Sequence, residues 1–303
     1  ESEPLTALNA AHLGEGAVVH VRRGVQYDRP IELLFVADPR RGFAAHPRVL
    51  VVLEEGSSAT LVERYLGCDG EPYWTNAVSE VVVGAGASLR HVRVQMEGPT
   101  GCHVGRVHVR QARASTYASH AVALGAGLAR VDIHVRLEGE GAECSLDGLY
   151  VGRGRQHIDH HTAIDHRVPH TSSRELYKGV LDESASGVFN GKVFVREQAQ
   201  KTDAQQMNKN LLLSDKASID TKPQLEIFAD DVKCAHGATI GRLDAAASFY
   251  LRSRGIDAAQ AREILIYAFA NEMIARIPIE PLRVDLERGL GARFAAAPVR
   301  AAA

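Results

Sequence analysis

A mainly β fold, a β-solenoid followed by a small C-terminal α-helical domain, is what this 303-residue sequence predicts, and three observations predict it. Apolar and polar residues alternate through most of the chain between Val18 and Ile240, the two-residue period of strands with one buried side. Small or polar tetrads recur in front of these runs at intervals near multiples of 14. From Asp244 onward the period becomes that of helices.

The tetrads end at Ala17 (GEGA), Ala59 (GSSA), Ala87 (GAGA), Leu128 (GAGL), Ala142 (GEGA), Ala185 (DESA) and Ala217 (SDKA). Their spacings are 42, 28, 41, 14, 43 and 32, and five of the six lie within one residue of a multiple of 14, so the chain reads as a repeat. In SLRHVRVQM, Leu89, His91, Arg93 and Gln95 share one face while Ser88, Arg90, Val92, Val94 and Met96 share the other. In RVDIHVRLEG the common face is Val131, Ile133, Val135 and Leu137. Tight two-residue hairpin signals are missing apart from Asn190-Gly191, which favours a solenoid over a sandwich or barrel. The near absence of helix-period segments in this region excludes a doubly wound α/β fold.

Asp244 is placed to cap a helix AAASFYLRSR that stops at Gly255, and Asp257 to cap a second, AAQAREILIYAFANEMIARI, that ends before Pro278. PLRVDLERGL supplies a third, and the tail APVRAAA reads as disordered. The expected division is a solenoid over 1–243 and a helical domain over 244–303. Leu265, Tyr267, Phe269, Met273 and Ile274 give the second helix a wide apolar surface, which fits packing on the solenoid and an exposed docking module equally well.

Composition narrows the classes of function. Lys+Arg number 35 against 37 for Asp+Glu, so the net charge of -2 gives no electrostatic case for nucleic acid or an anionic membrane. The four cysteines, Cys68, Cys102, Cys144 and Cys234, are widely spaced and form no CxxC, which argues against a disulfide framework or a zinc ribbon and for a reducing cytoplasm. Neither a spanning segment nor a signal peptide is visible, and a first residue of Glu1 rather than Met points to a trimmed or processed chain whose natural N-terminal region is absent.

Cys234 and His236 are the leading candidates for chemistry. Two residues apart on a strand, thiol and imidazole project from one face, a soft and a borderline ligand suited to iron, copper or zinc. Alone they are half of a closed site, which needs four ligands, and a buried cysteine beside a hydrogen-bonded histidine is the structural reading of the same pair. The densest polar stretch, QHIDHHTAIDHRVPHTSSREL, holds His157, His160, His161, His166 and His170 with Asp159 and Asp165. His157, Asp159 and His161 would share a face, so a metal-dependent hydrolase or isomerase using the His157–His170 region is the alternative reading. GVFNGK at 187–192 is too short for a phosphate loop and precedes a strand-like run, and neither GxGxxG before a helix nor GxSxG occurs. Arg252 and Arg254 need no ligand, since cations suit a helix C-terminus.

The run KTDAQQ, NLLLSDKASIDTKPQLEIFADDVKCAHGAT and FYLRSRGI, with RELYKGVLDESASGVFNGKV upstream, closely resembles the signature of the SufB/SufD family of iron-sulfur cluster assembly proteins. The KCAHGAT segment is similar to the SufD branch, and the similarity is clear over roughly Ser173 to Ala270. The resemblance implies a right-handed parallel β-helix with a C-terminal helical domain. It also implies a non-catalytic scaffold that pairs with a SufB-like subunit through the β-helices, docks a SufC-like ABC ATPase on the helical tail, and contributes to iron acquisition. Carried over, the family's functional histidine falls on His236 and the neighbouring cysteine on Cys234. A nascent iron-sulfur cluster or iron, shared with the partner subunit and not held tightly by the isolated chain, is the implied cargo. The isolated chain is expected to pair with itself as a homodimer through its open strand edges.

Overall fold

A computed structural model describes residues 3–14, 16–38 and 43–294. The tail APVRAAA, Glu1, and Glu15 of the first tetrad lie outside the described residues.

Helix α1 (Pro4–Ala11) precedes β1 (Gly16–Val21), β2 (Gln26–Ala37), the short β3 (Ala44–Ala45), β4 (Arg48–Leu53), β5 (Ser58–Gly67) and β6 (Tyr73–Val83). Next come β7 (Ser88–Met96), β8 (Gly101–Gln111), β9 (Thr116–Ala123), β10 (Leu128–Leu137), β11 (Glu143–Gly152) and β12 (His157–His166). The solenoid ends with β13 (Ser172–Leu181), β14 (Ser186–Val195), β15 (Asp203–Leu212), β16 (Ser218–Ile227) and β17 (Lys233–Gly241). Three helices follow, α2 (Ala245–Arg252), α3 (Ala258–Ile274) and α4 (Glu280–Phe294).

The chain winds through two parallel sheets. One runs β1-β4-β6-β8-β10-β12-β14-β16, with β3 beside β6, and the other β17-β15-β13-β11-β9-β7-β5-β2, giving a solenoid of about eight turns. Leu128 pairs with His157 and His157 with Ser186, so one coil takes about thirty residues, and the 14-residue spacing in the sequence is the half-coil from one sheet to the other. The tetrads are the corners. Gly86 and Gly141 sit at φ 62° and 71°, left-handed conformations that glycine adopts without strain, and in DESA the same role falls to Glu183 at φ 57°. Asn190-Gly191 is no hairpin: both lie inside β14, paired with His161 and Thr162 on β12.

The inward faces differ along the bore. One cluster is aliphatic and aromatic, with Val51, Leu61, Ile133, Leu146 and Phe189 buried. Among these apolar rungs stand Glu63, His91, Arg93, Gln95, His160, Glu175, Gln206 and Asn208, all buried. The expectation of one buried side per strand is corrected here. On β7, His91, Arg93 and Gln95 face the bore while Val92 and Val94 are also buried, on the outside.

Helix packing explains that second burial. Val62, Val92, Val94, Val122, Leu149 and Val180 make the outer face of the second sheet apolar, and Ile266, Ala270 and Met273 of α3 with Leu282, Leu286 and Leu290 of α4 cover it. Of the two arrangements open to the helical tail, the structure takes the packed one. Asp244 and Asp257 cap α2 and α3 by accepting from Ala246 N and from Ala259 and Gln260 N, and Gly255 closes α2 at φ 85°. Ion pairs sit at the seam, including Lys178–Glu272 at 2.5 Å, Arg276–Asp147 at 2.9 Å and Arg262–Asp182 at 3.0 Å. Helix α1, which the sequence analysis did not predict, is fastened through buried Asn9, whose amide donates to the Pro47 and Asn76 carbonyls at 3.1 and 2.8 Å. No helix of the described residues is long and apolar enough to cross a membrane.

Candidate functional site

Among the described residues, strands β16 and β17 are the last of their sheets, so one side of each has no neighbouring strand there. A parallel ladder without its next strand leaves backbone donors and acceptors free, and residues of β17 are accordingly half-buried or exposed. Cys234 and His236 stand on this strand. In register, Cys234 partners Ala204 and His236 partners Gln206, and both partners are buried inward-facing residues of β15. Paired residues of a ladder present their side chains to one face. The pair therefore shares a face, as the spacing predicts, and that face is the bore at its open end.

The two candidates differ in setting. Cys234 packs against the cluster of Val193, Val195, Ala199, Ala204 and Ala229 and is half-buried. That burial pushes its thiol up, and a hydrogen bond involving the Ala204 backbone offsets only part of the effect. A raised thiol stays protonated at neutral pH and becomes a ligand only by losing its proton to an incoming metal. His236 is exposed, with its imidazole open to whatever approaches the end of the solenoid. Of the two, His236 is thus the accessible side chain and Cys234 the recessed one.

Beneath His236 lies a polar column that the sequence analysis missed. Its next rungs are Gln206 and then Glu175, each in register with the one above. Gln206 Nε2 donates to Glu175 Oε2 at 2.5 Å. Burial pushes the Glu175 carboxyl up to about 7, with the hydrogen bond from Gln206 offsetting part of the shift. Gly191 makes room for this arrangement, because a Cβ there would overlap the Gln206 amide. Around the column, Glu175 Oε1, Gln206 Oε1, the Tyr177 hydroxyl and Thr221 Oγ1 are buried without hydrogen-bond partners among the described residues. The signal was present in DAQQMNKNLL, where Gln206, Asn208 and Asn210 alternate. A polar alternation reads as a solvent face unless the bore is known to be polar.

The histidines of the His157–His170 stretch do not converge. His157 points outward to Ser186 Oγ at 2.8 Å, and His161 pairs on the outside with Asp159 at 2.9 Å, Asp159 being held by Arg130 at 2.8 Å. His160 points inward between the rings of Tyr150 and Tyr177, and burial lowers it to about 4. His166 is inside as well, bonded to Thr171 and Ser173 at 2.8 and 2.9 Å, and His170 lies in an exposed turn at φ 56°. Among the described residues no group of three or more His, Cys, Asp or Glu is arranged to hold a metal ion. At the open end, likewise, the described residues bring together Cys234 and His236 but no third His, Cys, Asp or Glu arranged to complete a metal site.

Residues 35–269 match the family model described as SUF system FeS cluster assembly, SufBD core domain. The chain is 39% identical to the iron-sulfur cluster assembly SufBD family protein slr0076 of Synechocystis, over 96% of this chain and 66% of that protein. It is 36% identical to the iron-sulfur cluster assembly protein SufD of Escherichia coli over 93% of this chain and 69% of that protein. With SufD of Bacillus subtilis the identity is 32%, over 94% and 66%. The chain thus spans about two thirds of the length of these relatives.

Proposed function

The chain belongs to the SufBD core family of SUF-system iron-sulfur cluster assembly proteins, and we propose that it is a SufD-like, non-catalytic scaffold subunit whose uncapped end forms half of a cluster-assembly site. The observation that carries this reading is the position of His236 and Cys234 on the free last strand of the solenoid, facing the open bore. Two ligands from one chain require further ligands from another, and an unpaired strand edge is where another chain adds. A SufB-like subunit pairing its own β-helix against β16 and β17 would supply them.

The cargo is iron or a nascent iron-sulfur cluster, held in transit rather than as a resident cofactor. A neutral imidazole suits iron, and a thiol deprotonated on binding suits the cluster's softer chemistry. A SufC-like ABC ATPase is the partner proposed for the helical domain. The groove between α3 and α4, of about 270 Å³ and lined by Ile264, Tyr267, Leu290 and Phe294, offers it apolar surface. The assignment includes a part in iron acquisition and a cytoplasmic setting.

The test is His236→Ala in the complex reconstituted from all three proteins under anaerobic conditions. Iron and sulfide content is expected to fall at least tenfold while the complex still assembles. Unchanged content would remove His236 from the site.

A further inference from the structure

A histidine can bind a metal through only one ring nitrogen at a time, and the hydrogen bond made by its other nitrogen decides which one is available. The register places one candidate for that task next to His236. Gln206 is its register partner on the same face of the sheet, one rung deeper, and rungs are spaced by about 4.8 Å. Glu175 lies two rungs away, about 10 Å, too far to reach the imidazole directly.

The Gln206 amide is fixed in one sense. Its NH2 group donates to Glu175 Oε2 at 2.5 Å on the inner side, and the absence of a side chain at Gly191 leaves it room across the bore. With the nitrogen edge turned inward to Glu175, the carbonyl edge is turned away from it. That oxygen is buried and has no hydrogen-bond partner among the described residues. An unpaired buried acceptor is unfavourable, and His236, its register partner one rung nearer the open end, carries a ring N–H able to satisfy it.

We infer that Gln206 is a positioning residue for His236: its pinned amide oxygen accepts a hydrogen bond from one ring N–H, which directs the lone pair of the other ring nitrogen outward to the incoming metal. This rests on the reading of His236 as a ligand. No proton is gained or lost, since only the tautomer and the ring orientation are selected. Glu175 acts one step further back. In its ionised form the carboxylate only accepts, so it holds the NH2 edge of the amide and disfavours the reversed amide that would present a donor to His236.

The test is the tautomer of His236, read from ring 15N shifts in the full 303-residue chain labelled with 15N-histidine, the signal being assigned by its loss in His236→Ala. In the wild type one tautomer is expected to dominate. Gln206→Met keeps the side-chain length but removes the acceptor, and the ratio should relax several-fold toward that of free histidine. Glu175→Gln leaves Gln206 in place but frees its amide to reverse, so it should give an intermediate ratio. A folded Gln206→Met with the wild-type ratio overturns the inference, and if that variant does not fold, an unchanged ratio in Glu175→Gln overturns it. In the reconstituted complex Gln206→Met should weaken iron binding by about 10- to 100-fold. The two readings fail separately. A tautomer set by Gln206 alongside full cluster content in His236→Ala would sink the ligand reading alone, whereas lost cluster content with an unmoved tautomer would sink the positioning role alone.

Discussion

Burial of single polar groups is where this protein departs most from a simple amphipathic solenoid. Glu175 is the clearest case, fully buried and raised from 4.5 to about 7 by loss of solvation. A carboxyl whose folded value is raised favours the protonated form in the fold. Its contribution is therefore full below pH 4.5 and is lost as pH rises through about 7. Glu175→Gln should remove that dependence, and the stability difference between variant and wild type should grow by on the order of 3 kcal/mol from pH 4.5 to 8. Urea unfolding at several pH values measures it. His160 and His166 shift the other way, both lowered to about 4 by burial, so they remain in the background of both proteins and cancel from the comparison. Gly191→Val should cost about 1–3 kcal/mol by forcing the Gln206 amide out of its place, read as a lower urea midpoint.

Among the elements, α3 is the one whose attachment the sequence left undecided. Its apolar residues were visible, but an apolar helix face looks the same whether it meets a sheet or a partner. The deciding partner is the outer face of the second sheet, where Val92, Val122 and Leu149 from strands far apart in sequence assemble into one surface. Lys178 fastens the seam. Its side chain is 4% exposed, and its ammonium meets Glu272 at 2.5 Å, the Phe269 carbonyl at 3.1 Å and the Phe269 ring at 4.4 Å. Glu272 is 47% exposed, so the two halves of the pair should respond unequally. Glu272→Ala strands a buried ammonium and should destabilise by about 1–3 kcal/mol. Lys178→Met leaves only a solvated carboxylate and should cost less. Met273→Ala, by opening a cavity in the shared cluster, should cost about 2–5 kcal/mol and expose α3 to proteolysis before the solenoid unfolds.

For the whole molecule, the open end carries the consequences. Edge strands β16 and β17 carry exposed apolar side chains, Ile227 at 40% and Ile240 at 51%, with Phe228 beyond β16 at 60%. Unpaired strands with such residues invite a second copy when no partner is present. Sedimentation of the isolated chain should show a homodimer, and Ile240→Lys should shift it to monomer without lowering the thermal midpoint by more than a few degrees. A monomeric wild type would leave the edge without this role. The same variant should impair pairing with a SufB-like subunit if both partners use one edge.

Alternation and corner spacing determined the solenoid by themselves, because a two-residue period and a recurring turn are local properties that any coil must satisfy on its own. Capping aspartates at 244 and 257 determined the starts of α2 and α3 for the same reason. The shared face of Cys234 and His236 was equally local, fixed by their spacing on one strand. What only the tertiary structure decided is which face that is, and what lies behind it. Gln206 and Glu175 stand 30 and 61 positions before His236, and become its neighbours only because successive coils stack in register. Contacts between coils depend on the cumulative length of every turn between them, and no stretch of sequence carries that sum.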